Sequence, residues 1–262
     1  MTEDEWQGIF SDTVNAMIEH VKPYLSPISY QESPERGRHY GSGSYFEAEE
    51  EKYLVTNEHV ARKVKEASLG CQFIENENII RLTNPFCCRP HPIDIAISKI
   101  DSGIWDQYGA GSKAIPLERF AKQHSPATHE LLFFAGYSGE RSVFSFDHLI
   151  TRGTPYLTQE SPFPESVQEG DQNYHFSLFY PPDLARSVDG TSHLPNPHGF
   201  SGSLVWDTKR VACFSENKTW DPSMAEVTGI VWGWPSSSGC ILVTRVEHFM
   251  LKDLLQESRK NA

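Results

Sequence analysis

The chain has 262 residues, 38% hydrophobic and 12% aromatic, enough to bury a full core in one large domain or two small ones. Its formal net charge of -12, with no run of Lys and Arg, repels phosphate backbones and argues against a nucleic-acid partner. Its five cysteines (Cys71, Cys87, Cys88, Cys213, Cys240) are odd in number and irregular in spacing, which argues against a disulfide framework, and no apolar segment approaches the ~20 residues of a membrane span.

Residues 1–10 carry acids where a signal peptide has a basic region and an apolar core, so no signal peptide is expected. With the cysteine usage, this points to a reducing, cytoplasmic setting. Residues 2–22 read as an amphipathic helix. Thr2 followed by Glu5 fits a capping box, and Trp6, Ile9, Phe10, Val14, Met17, Ile18 and Val21 recur at helical spacing. Pro23 and Pro27 end it. The face packs on the body of the protein or docks a partner.

From residue 28 the pattern changes to short β-rich runs broken by turn residues. Strands are expected over 53–56, 71–75, 78–82 and 93–100. Residues 101–128, with Gly103, Gly109, Gly111, Pro116 and Pro126, read as a linking region. A second β-rich half opens at Glu130. Residues 151–173, rich in Pro, Ser, Glu and Gln, read as a long surface loop, and 183–198 as another. Strands at 174–180, 203–207 and 226–234 follow. A closing helix is expected over 244–258, with Thr244 and Glu247 as a second capping box and Val246, Phe249, Met250 and Leu254 on its buried face.

The second loop delivers the chain to Pro197-His198-Gly199-Phe200-Ser201-Gly202-Ser203. Glycine on both sides of a serine allows a sharp turn that presents the hydroxyl beside free backbone N–H groups, as an acyl-transfer nucleophile requires. A plain Gly/Ser turn between strands has the same residues. A hydroxyl also needs a base in reach, and the base needs a group that fixes its tautomer. His59 follows the apolar run Leu54-Val55-Thr56, and Asp94 heads the apolar run Ile95-Ala96-Ile97. A carboxylate there is part buried and requires a partner, which an imidazole N–H supplies. Taken singly, His59 reads equally as a surface turn residue and Asp94 as a solvated strand start.

Taken together, these stretches resemble trypsin-like serine peptidases of the chymotrypsin fold, in their bacterial form. Gly41-Ser42-Gly43-Ser44 resembles the glycine-rich first strand. Leu54-Val55-Thr56-Asn57-Glu58-His59-Val60 resembles the histidine motif, Asp94-Ile95-Ala96-Ile97 the aspartate motif, and Gly199-Phe200-Ser201-Gly202-Ser203 the nucleophile motif. Val227-Thr228-Gly229-Ile230-Val231 resembles the strand after the nucleophile. The resemblance spans roughly 38–250, with its motifs in family order. It implies an all-β fold of two antiparallel β-barrels with an added helix at each end. The divisions expected are 1–27 for the N-terminal helix, 28–125 and 126–243 for the barrels, and 244–262 for the C-terminal helix. It further implies a serine endopeptidase without cofactor or metal, with a protein or peptide substrate. Ser201 would be the nucleophile, His59 its base, Asp94 the orienting carboxylate, and the N–H groups of Gly199 and Ser201 the oxyanion hole.

The substrate pocket is expected from Pro195, His198, Trp232, Gly233 and Trp234, with His193 near it. Pro195 stands where family members that cleave after Lys or Arg carry aspartate, so a small or apolar residue before the cleaved bond is the default and an acidic one the second choice. No Ile-Val type N-terminus follows an activation site. Restraint is therefore expected from narrow specificity, a regulatory protein partner or a loop such as 151–173. Gly136-Tyr137-Ser138-Gly139 also has the form G-x-S-G but comes too early for the nucleophile turn, and Ser203 breaks the G-x-S-x-G elbow of an α/β-hydrolase. Cys87, Cys88 and His91 do not match zinc spacings. The rival from another class is a catalytically silent protease-like fold acting as a protein-binding module.

Overall fold

The central strands of this chain carry apolar residues on both faces, and the computed structural model shows why. It describes residues 3–33, 36–76, 78–145, 148–164, 167–181, 194–235 and 238–261. In chain order these form α1 (Glu3–Val21), β1 (Leu25–Ser33), β2 (Arg36–Ala48), β3 (Glu51–Thr56), α2 (Glu58–Ala61), β4 (Ser68–Cys71), β5 (Ile80–Arg81), β6 (Phe86–Arg89), β7 (Ile95–Ile100), α3 (Ser102–Tyr108) and β8 (Ile115–Pro116). Then follow β9 (Leu132–Ser145), β10 (His148–Thr158), β11 (Glu160–Ser161), β12 (His175–Phe179), β13 (Leu204–Asp207), α4 (Arg210–Ser215), β14 (Glu226–Gly233), β15 (Cys240–Arg245) and α5 (Leu251–Asn261).

The strands make two antiparallel sheets, ordered β5-β4-β1-β2-β3-β7-β6 and β10-β9-β13-β14-β15-β12-β11, with β8 added in parallel to β2. The molecule is thus all-β with a helix at each end. Period-2 alternation sends successive residues of one strand to different cores. Phe46, Tyr53, Val55, Ile95 and Ile97 of the first sheet meet Phe133, Leu204, Trp206, Val227 and Ile230 of the second in a shared core. The alternate residues Tyr45 and Leu54 face a core inside the first sheet, and Leu132, Phe134, Val205 and Val231 one inside the second. Helix α1 seals the shared core with Val14, Met17 and Val21. Among the described residues, no helix is long and apolar enough to cross a membrane.

Several expectations are corrected. The expected loop over 151–173 begins as strand: β10 runs to Thr158 and pairs with β9 along its length. Its Pro155 is tolerated because β10 is an edge strand, where a missing N–H breaks no ladder on the open side. The expected helix over 244–258 starts late, at Leu251, because Thr244 lies within strand β15 and Met250 adopts φ +51°. Glu247 caps nothing there; its carboxylate accepts from the His124 N–H at 2.8 Å. The linking region contains α3 and β8, and β4 stops at Cys71 short of the strand expected to 75. Strand β6 and helix α4 gave no sequence signal; α4 starts where the Glu130 carboxylate accepts from Val211 N and Ala212 N. Thr2, His193 and most of the 183–198 loop lie outside the described residues.

Candidate active site

Strands β3 and β7 are antiparallel neighbours with Thr56 opposite Ala96. The residues just after β3 and just before β7 therefore emerge at the same end of the sheet. There α2 carries His59, and Asp94 sits at φ +52°, with its N–H donating to Pro90 O at 3.2 Å. The side chain of Asn57, at the position before α2, donates to Asp94 O at 2.7 Å. The carboxylate is buried and makes two bonds to one residue. Asp94 Oδ1 accepts from the His59 backbone N–H at 2.9 Å, and Oδ2 lies 2.6 Å from His59 Nδ1. This pairing keeps the proton on Nδ1 and leaves Nε2 of the neutral ring as a base.

Ser201 comes from the other sheet. Its turn is closed by Phe200 N–H donating to Pro197 O and Ser203 N–H donating to Phe200 O, each at 2.9 Å. Gly199 and Gly202 hold φ of +104° and +93°. At Gly202 a Cβ would stand 1.9 Å from Ser42 O, so glycine is obligatory. Phe200 is fully buried, with its ring centroid 5.5 Å from Phe134 and 6.2 Å from Tyr180. Among the described residues, the backbone N–H groups of Gly199 and Ser201 have no acceptor.

The turn is fastened to the first sheet by Ser42 of β2. Its N–H donates to Ser201 O at 2.8 Å, and its hydroxyl donates to Gly199 O while accepting from Tyr137 N–H, both at 2.8 Å. Thr56 Oγ1 in turn donates to Ser42 O at 2.8 Å. Beside them His39 is half-buried in the wall of the cleft, with Nε2 2.9 Å from Tyr137 O. Burial lowers its pKa to about 4, against two backbone carbonyl contacts that raise it. His39 is therefore neutral near pH 7 and donates from Nε2.

His59 and Ser201 line one cleft of about 380 Å3 between the sheets. No hydrogen bond joins Ser201 Oγ to His59 among the described residues; catalytic hydrogen bonds of this kind often close only on substrate. His198, Gly199, Trp232, Gly233 and Trp234 also line the cleft. Pro195 does not: it is buried, and its carbonyl accepts from Tyr180 OH at 2.7 Å. The indole N–H groups of Trp232 and Trp234 are buried without a partner among the described residues. Ser138 is buried away from the cleft, its hydroxyl donating to Asn196 O at 3.0 Å. The five cysteines are free thiols, and no group of three His, Cys, Asp or Glu among the described residues could hold a metal ion.

Sequence reasoning missed His39, Ser42, Asn57 and His175, whose Nε2 lies 2.7 Å from Pro92 O just before Asp94, as site-supporting residues. Ser42 lay between glycines and Asn57 inside the histidine motif, which were signals of a kind. Nothing distinguished His39 or His175 among eleven histidines.

No protein-family model and no curated protein matches the chain. Solved structures similar to it include the serine protease domain of the Sesbania mosaic virus polyprotein, at 14% identity over 85% of this chain and 88% of that one, with a TM-score of 0.46. Another is catalytically active tobacco etch virus protease complexed with product, at 12% identity over 91% of this chain and 80% of that one, TM-score 0.48. A third concerns aromatic interactions in the coupled folding and binding of the intrinsically disordered Sesbania mosaic virus VPg protein, at 14% identity over 85% of each chain, TM-score 0.47.

Proposed function

We propose that the chain is a serine endopeptidase of the chymotrypsin type, with one domain over 28–125, a second over 126–243 and its site in the cleft between them. The observation that carries this reading is the doubly bonded Asp94–His59 pair on one sheet, sharing a cleft with Ser201 from the other. In the reaction, Ser201 Oγ attacks the carbonyl carbon of the peptide bond as His59 Nε2 takes the hydroxyl proton. Asp94 holds the ring and stabilises the imidazolium. The unengaged N–H groups of Gly199 and Ser201 receive the charge that develops on the carbonyl oxygen, a contribution of about 3 kcal/mol per donor in such sites. His59 then returns the proton to the leaving amine, and water hydrolyses the acyl-enzyme by the same route in reverse.

Trp232, Gly233, Trp234 and His198 would wall the pocket, which favours a small or apolar residue before the cleaved bond. No described residue of the cleft wall carries the carboxylate that a Lys or Arg side chain would require. The substrate is a protein or peptide, and the free thiols suit a reducing, cytoplasmic compartment. A serine-directed fluorophosphonate probe tests the reading. Labelling is expected in wild type and in Ser138→Ala, and is lost in Ser201→Ala. Absence of labelling in every form would favour a binding module or a latent enzyme. Cleavage of a peptide library, with Ser201→Ala as control, then reads the specificity.

A further inference from the structure

Tyr137 separates the nucleophile turn from a second cavity, of about 610 Å3, enclosed by α1, the connection after β4 and the β9–β10 hairpin. The body of this cavity is apolar, with Leu25, Phe73 and Leu149 in its walls. Its charged groups are two anions, Glu19 and Glu75, and two cations, Lys22 and Arg152, all exposed at the mouth. They cancel, so the cavity selects neither sign of ligand charge. The Tyr137 side chain is set deep in it, and burial alone pushes the phenol pKa far up. Among the described residues the Tyr137 hydroxyl has no hydrogen-bond partner. The hydroxyl opens on the cavity, where a ligand acceptor takes the place of water on it.

The main chain of the same residue belongs to the nucleophile turn's support. Tyr137 N–H donates to Ser42 Oγ, whose hydroxyl donates to Gly199 O, and Tyr137 O accepts from His39, whose ring packs on Gly199. We propose that this cavity is a ligand site for an uncharged apolar molecule bearing one hydrogen-bond acceptor, anchored by the Tyr137 hydroxyl, and that its occupancy is transmitted to the Gly199–Ser201 turn. The binding half stands on the cavity alone. The transmission half rests on Ser201 being the nucleophile.

The probe is octanamide, an acyl chain with a single carbonyl acceptor, titrated into the full chain by calorimetry. Saturable one-to-one binding is expected. Tyr137→Phe should weaken it about fivefold, the loss of one hydrogen bond. Gly153→Val should abolish it: a Cβ there meets nothing nearer than Tyr137 Cε1 at 3.7 Å, so the side chain enters the cavity without clash. Octyltrimethylammonium, with the same chain and no acceptor, should bind about fivefold or more weaker than octanamide. No octanamide binding up to its solubility limit, or equal binding by wild type and Gly153→Val with native near-UV dichroism, overturns the site. Unchanged affinity in Tyr137→Phe overturns the anchor. In a second arm, the rate of fluorophosphonate labelling at Ser201 is measured with and without saturating octanamide. A change of about fivefold or more is expected, the lower range of coupling between linked sites. An unchanged rate with proven binding overturns the transmission. No labelling under any condition sinks the nucleophile reading and the transmission with it, and leaves the binding result standing.

Discussion

His39 has a single comfortable protonation state. Its Nε2 donates to Tyr137 O, its Nδ1 is buried without a partner among the described residues, and no carboxylate acts on its pKa. Burial takes the pKa from 6.5 in the unfolded chain to about 4 in the folded one. Between those values the unfolded chain binds the extra proton, so stability is whole above 6.5 and is lost as pH falls toward 4. The loss attributable to this one ring reaches about 3 kcal/mol across the window. His39→Gln keeps an N–H donor and cannot titrate. Urea unfolding at pH 7 and at pH 4.5 should show a smaller drop for His39→Gln than for wild type, by about 2–3 kcal/mol. Equal drops would mean that the ring is hydrated or paired in solution.

At the scale of elements, the Asp94 segment is held from both sheets. Asn57 of its own sheet binds Asp94 O, and His175 of β12 reaches across so that its Nε2 lies 2.7 Å from Pro92 O. The His175 ring is fully buried, and its Nδ1 accepts from Asp171 N–H at 2.9 Å, so both nitrogens are committed and the tautomer is fixed. Its ring neighbour is Trp232 of the cleft wall, tilted 42° to it with centroids 4.8 Å apart. His175→Phe should lower kcat about tenfold by releasing that hold, with KM little changed, and His175→Gln, which retains a donor, should recover most of it. A loss confined to KM would assign His175 to the substrate pocket instead.

The elements also show which parts of this molecule are readable in sequence. His59 and Asp94 were legible because each abuts an apolar strand, and antiparallel pairing of those strands brings their ends together. Ser201 was legible through its flanking glycines, which tight backbone approach makes obligatory. The supports were not legible. Ser42 bonds to residues 95 and 157 positions away, and His175 to one 83 positions away, distances at which no local pattern exists. Strand β10 was hidden by its own composition, since an edge strand accepts the proline and polar residues that otherwise signal a loop. The closing helix was misplaced because Thr244 and Glu247 satisfy a capping pattern while one lies inside a strand and the other serves His124.

At the scale of the whole molecule, the sheets share one core and neither closes it alone, so the chain should unfold as a unit. The nucleophile turn belongs to that unit through Phe200. Its side chain is an uncharged plug among Phe134 and Tyr180, inside the second sheet's own core. No charge has to be created or cut free for the turn to set; it is finished when the surrounding rings are packed. Setting the turn and folding the second sheet's core are then one kinetic event. On refolding from urea, capacity for fluorophosphonate labelling should return with the same time constant as the native tryptophan fluorescence. A lag between them would reveal a later assembly step. On the reading of Ser201 as nucleophile, packing the rings is what arms the site.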